Sequence, residues 1–74
     1  PLRKQIKDAE QKLFRLRDEL GKIEVLLADL KIYDGANERV ILLGKDKARF
    51  EAAIARVEES WLAMSAQLET AEQA

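Results

Sequence analysis

The stretch LRKQIKDAEQKLFRLRDELGKIEVLLADL, residues 2–30, sets Leu2, Ile6, Ala9, Leu13, Leu16, Leu20, Ile23, Leu27 and Leu30 alternately four and three positions apart. A 3.5-residue repeat lays one apolar seam along a helix, and that seam needs a second one to cover it. The second lies downstream, where Val40, Leu43, Lys47, Phe50, Ile54, Val57, Trp61, Met64, Leu68 and Ala71 keep the same spacing. Nine residues separate the two ladders, so the second helix has to turn back on the first. The expected fold is all-α: a single antiparallel two-helix coiled-coil hairpin domain over residues 1–74. Helix 1 is expected over about 2–30, an irregular or 3₁₀ tip over 31–37, and helix 2 over about 38–72.

Matching Leu27 with Leu43 makes the residue numbers of every seam pair add to 70, so Ile23 faces Lys47, Leu13 faces Val57 and Ala9 faces Trp61. The informative pair is the last, because the smallest seam residue of helix 1 meets the largest of helix 2, as close packing requires. A slip of one heptad would set Trp61 against Leu2 or Leu16. Beside the seam this register predicts an ion pair between Arg17 and Glu51, with Glu10 and Glu58 approaching on the same side. Lys47 is the one charged seam residue; its stem can lie along Ile23 while the ammonium reaches water. Ala9, Tyr33, Lys47 and Trp61 are the structural residues of this reading. At the tip, Asp29, Asp34, Gly35 and Asn37 supply turn chemistry, with Asn37 or Asp34 capping helix 2. Val25, Leu26, Ile32, Tyr33, Ile41 and Leu42 exceed what two ladders need, as a small satellite core around Tyr33 or as a docking patch.

At 74 residues, 47% apolar and 36% charged, with one Pro and three Gly, the composition is that of a long-helix chain. No Cys or His is present, which removes disulfides, thiolate metal sites, the usual general base and the commonest metal ligand. The longest apolar runs, such as Val40 to Leu43, are four residues, far below the roughly 18 of a membrane span. No signal-peptide pattern opens the chain, and the expected compartment is cytoplasmic. The opening Pro1, in place of Met, leads us to expect a piece of a larger protein. A phosphate-binding loop is absent: at Gly44-Lys45, Arg39 stands where the first Gly belongs and Asp46 where the hydroxyl belongs. The acids are spread over helix faces with no paired carboxylates, so we expect no catalytic residue, no metal site and no cofactor in this domain.

The net charge of −1 hides an asymmetry. Residues 1–22 carry seven bases (Arg3, Lys4, Lys7, Lys12, Arg15, Arg17, Lys22) against four acids, whereas residues 51–74 carry Arg56 alone against five glutamates. One reading is mutual attraction of the two arms. The other is a basic stripe offered to a polyanion, with Lys12, Arg15 and Lys22 along one flank, Lys4 and Lys7 continuing toward the start, and Arg39 near the tip. These six are the candidate nucleic-acid contacts. On these grounds a nucleic-acid backbone is the expected partner, with no membrane and weak homodimerisation through exposed seam and Phe14.

The segment Leu27-Ala28-Asp29-Leu30-Lys31-Ile32-Tyr33, followed 28 residues after Tyr33 by Trp61-Leu62, resembles the C-terminal coiled-coil domain of ABC-F ATPases. The opening Pro1-Leu2-Arg3-Lys4-Gln5-Ile6 and Glu58-Glu59-Ser60-Trp61-Leu62 are similar to that domain too. Where the family usually has Pro after the loop Asp, this chain has Leu30, which also completes the first ladder and predicts a slightly longer helix 1. The resemblance implies a parent with two ATP-binding cassettes that uses ATP and magnesium, acts on ribosomes in translation, and carries this hairpin as an accessory arm contacting nucleic acid or the ribosome. The C-terminal arm of valyl-tRNA synthetase is also similar in form, but its loop Phe and Ala-Pro pair are absent here. A purely structural or dimerising coiled coil is the reading from a different class.

Overall fold

The computed structural model describes residues 1–29 and 37–73. Two helices, α1 (Leu2–Ala28) and α2 (Asn37–Gln73), lie against each other along a rod of 60 × 15 × 14 Å. Two ion pairs fix their relative direction: Arg3 pairs with Glu72, and Arg17 Nη2 lies 3.1 Å from Glu58 Oε1. Early residues of α1 thus meet late residues of α2, and the fold is an antiparallel helical hairpin.

The heptad ladder is written directly into the burial. In α1 the buried or half-buried residues are Leu2, Ile6, Ala9, Leu13, Leu16, Leu20, Ile23 and Leu27, and every other residue of the helix is exposed. In α2 each ladder position from Val40 to Leu68 is buried or half-buried, Lys47 included, while Ala71 is exposed. Asp46 and Ala53 are also half-buried on one flank of the α2 seam, and Glu58 and Ser65 on the other. That change of flank has the direction expected of a 3.6-residue helix reading a 3.5-residue repeat, which drifts about 20° per heptad.

The seam is one residue wide, so the core is thin. Among the described residues only Leu13, Ile23 and Ile54 are buried, and none that is charged or polar is. Leu13, Trp61 and Glu10 line a cleft on one side of the rod, and Ala9, Val57 and Ser60 a cleft on the other. Ala9 with Val57, and Leu13 with Trp61, are the diagonal neighbours of the facing pairs Ala9–Trp61 and Leu13–Val57. A one-heptad slip in either direction would pull the residues of one such diagonal about 16 Å apart along the rod. The residue numbers of facing seam pairs therefore add to 70.

Two local expectations change. Arg17 bonds Glu58 rather than Glu51. Helical side chains lean toward their own N-terminus, and in an antiparallel pair Arg17 and Glu58 lean toward each other while Arg17 and Glu51 lean apart. Helix 1 also ends at Ala28, two residues short of Leu30. Asp29 takes extended backbone (φ −76°, ψ 114°) and donates its N–H to the Leu26 carbonyl at 3.2 Å, in keeping with the weak helix preference of Asp. Leu30, the cap of α2, the proposed 3₁₀ tip and the satellite core around Tyr33 lie outside the described residues. Of the apolar tip residues that are described, Val25, Leu26, Ile41 and Leu42 are exposed.

Candidate nucleic-acid interface

Around the rod, each heptad position has a fixed bearing, and the hairpin therefore has two flanks that differ in charge. The Arg3–Glu72 and Arg17–Glu58 pairs edge one flank. The other flank carries Lys12, one residue before the seam residue Leu13, and Arg15 and Lys22, which share one bearing seven positions apart. This is the flank on which the basic stripe assembles.

Lys12 is the centre of it. It lines one shallow cleft with Arg56 and Ser60 of α2 and with Asp8, and a second with Arg15, Leu16 and Glu19. Arg56 thus joins Lys12 and Arg15 across the helix boundary, at nearly one level of the rod. Arg49, one heptad before Arg56, holds the same bearing at the level of Lys22, about 10 Å farther toward the tip. All five bases are exposed, so their charge is available to a ligand in water. Asp8 and Glu19 moderate the patch without closing it.

Lys22 differs from its neighbours. Its Nζ lies 3.2 Å from Glu19 Oε1 and 3.5 Å from Asp18 Oδ2, within one helical turn on α1. The hydrogen bond to Glu19, followed by the charges of Glu19 and Asp18, raises the Lys22 ammonium above the ordinary lysine value of 10.5. The lysine stays charged, but two carboxylates already hold it, so a phosphate must compete with them. Lys12, Arg15 and Arg56 carry the freer charge.

The remaining candidates do not gather here. Lys7 stands one heptad before Phe14 and takes the opposite flank, Lys4 looks away along the back of α1, and Arg39 is exposed in the first turns of α2 near the tip. Reading charge along the chain missed Arg56 and Arg49, because they sit in or beside a segment whose overall balance is acidic. Their heptad bearing is the signal that finds them. Among the described residues, no group of three or more acidic side chains could hold a metal ion, and no helix is long and apolar enough to cross a membrane. In comparisons with protein-family models, curated proteins and solved structures, nothing matches this chain.

Proposed function

We infer that this hairpin is a non-catalytic arm that contacts a nucleic-acid backbone, ribosomal RNA or DNA, through the flank bearing Lys12, Arg15 and Arg56. The observation that carries the reading is the cleft lined by Lys12 of α1 and Arg56 of α2, where bases from two helices meet. A single helix makes a line of charge; two helices make a patch that can hold adjoining phosphates. Such contacts position a rod on a backbone without reading its sequence. The resemblance at Leu27–Tyr33 and Trp61 supports placing the arm in a soluble, cytoplasmic ABC-F ATPase acting in translation, whose cassettes would supply ATP and magnesium chemistry. A rod 60 Å long suits an arm that reaches from such a body to a neighbouring surface.

The test is titration of fluorescently labelled duplex RNA and duplex DNA, followed by anisotropy at 50 and 200 mM KCl. Three phosphate contacts give a log–log salt slope near −2.7, or about a 40-fold loss of affinity across that interval. Reversing Lys12, Arg15 and Arg56 to Glu should abolish binding while the helical circular dichroism stays intact, since all three are exposed. A folded triple variant that binds as well as the parent would move the contact to the tip around Tyr33 and Arg39. Absence of binding by either protein would leave a spacer or dimerising coiled coil.

A further inference from the structure

The flank opposite the basic patch carries different chemistry. A cleft of about 460 Å³ opens there, floored by Leu13 and Trp61 and walled by Phe14 and Leu62. Phe14 is 75% exposed and Leu62 61% exposed, one from each helix, facing across the same opening. The hairpin does not use them. The Trp61 Nε1–H is shielded from solvent and has no acceptor among the described residues. Farther along the same flank, Gly21 follows Phe14 by one heptad and Gly44 shares the bearing of Glu58. A Cβ added at either glycine meets nothing within 4 Å, so neither glycine is needed for α1 and α2 to approach each other.

The rim is acidic. Glu10 and Glu58 edge the cleft, and Glu24 and Glu51 continue the same heptad bearing toward the tip. Against these four carboxylates and Asp18, which also lines the cleft, the flank offers Arg17, already engaged by Glu58, and Lys7, one heptad before Phe14, so the balance stays acidic. We propose that this flank is a docking groove for an amphipathic helix of a partner protein whose apolar stripe is bordered by Lys and Arg. The valley between two parallel rods accepts a third rod, apolar groups fill the space between Phe14 and Leu62, and the flanking bases meet the glutamates. Charge selects this occupant. A second copy presenting the same flank would set glutamate against glutamate, and a polyanion is repelled. The groove and the basic patch lie on opposite sides of the rod, so the hairpin can hold both ligands at once.

The probe is a 21-residue synthetic helix with Leu at the seam positions and Lys elsewhere, together with a twin in which Glu replaces Lys. Trp61 is the only tryptophan and lines the groove, so its emission reports occupancy directly. The Lys peptide should shift that emission and bind one to one by sedimentation, whereas the Glu twin should not bind. Phe14→Ala with Leu62→Ala should weaken the Lys peptide at least tenfold, and Glu10→Lys with Glu51→Lys should weaken it several-fold, with unchanged helicity in each. Val25→Ala, at an exposed site away from the groove, should leave binding as it was. Equal binding to the Phe14/Leu62 variant, or no binding of the Lys peptide, overturns the proposal. So does a peptide-free dimer that the Phe14/Leu62 variant dissolves, since the occupant would then be a second copy. None of these outcomes touches Lys12, Arg15 or Arg56, and the nucleic-acid reading stands or falls separately.

Discussion

Truncating Trp61 tests the seam most directly. Trp61 is half-buried, lines the cleft beside Leu13 and faces Ala9 across the register. A packed Trp buries on the order of 150–250 Å²; for a half-buried ring, roughly 120 Å² is returned to water on truncation to Ala. At ~25 cal/mol per Å² this costs about 3 kcal/mol. A 74-residue hairpin with three buried side chains among the described residues belongs at the low end of domain stability, about 4 kcal/mol. With a urea slope near 1 kcal/mol per M, Trp61→Ala should move the unfolding midpoint down by about 3 M and leave a barely folded protein. Trp61→Phe keeps most of the apolar contact and deletes an N–H that has no acceptor among the described residues, so it should cost under about 1 kcal/mol. The assay is urea unfolding followed by circular dichroism at 222 nm. A loss below about 1 kcal/mol for Trp61→Ala would refute the register. A Trp61→Phe cost equal to that of Trp61→Ala would show that the indole N–H is bonded after all.

Ala9→Leu crowds the site that Trp61 occupies and should destabilise by about 1–3 kcal/mol; an unchanged melting temperature would place Ala9 elsewhere. Gly21→Ala and Gly44→Ala should each stabilise by about 0.5–1 kcal/mol, because both lie inside helices with open space for a methyl group, and the urea midpoints of the two variants and their combination check it. Lys22 adds a small alkaline dependence, since its pairing with Glu19 and Asp18 is exposed. Its folded pKa lies above 10.5, so its pairing contributes fully below that pH and is lost as pH rises through the higher folded value. The unfolding midpoint should fall above about pH 10.5, and less steeply once Glu19→Gln removes the hydrogen-bond partner. For the basic flank, the single reversal Lys22→Glu should weaken nucleic-acid binding less than Arg56→Glu, because Glu19 and Asp18 already hold Lys22; anisotropy titrations of the two variants decide it.

Sequence alone determined which face of each helix is buried, because a 3.5-residue repeat leaves one bearing apolar except at Lys47 and the hydrophobic effect covers it. The eight ladder residues from Leu2 to Leu27 are the non-exposed residues of α1, and the size match of Ala9 and Trp61 chose the register. What only the tertiary structure decided lies beside the seam. Arg17 bonds Glu58 because side chains lean toward their helix N-termini, a tilt that spacing along the chain does not express. The first helix stops at Ala28 because backbone geometry at Asp29 ends it, although apolar periodicity runs on to Leu30. Arg56 counts with the acids in a tally along the chain, yet it lines a cleft with Lys12 once the helices are paired. Phe14 and Leu62, 48 positions apart, become the two walls of one groove for the same reason. Periodicity is local and fixes each helix face by itself, whereas flanks exist only where two helices meet.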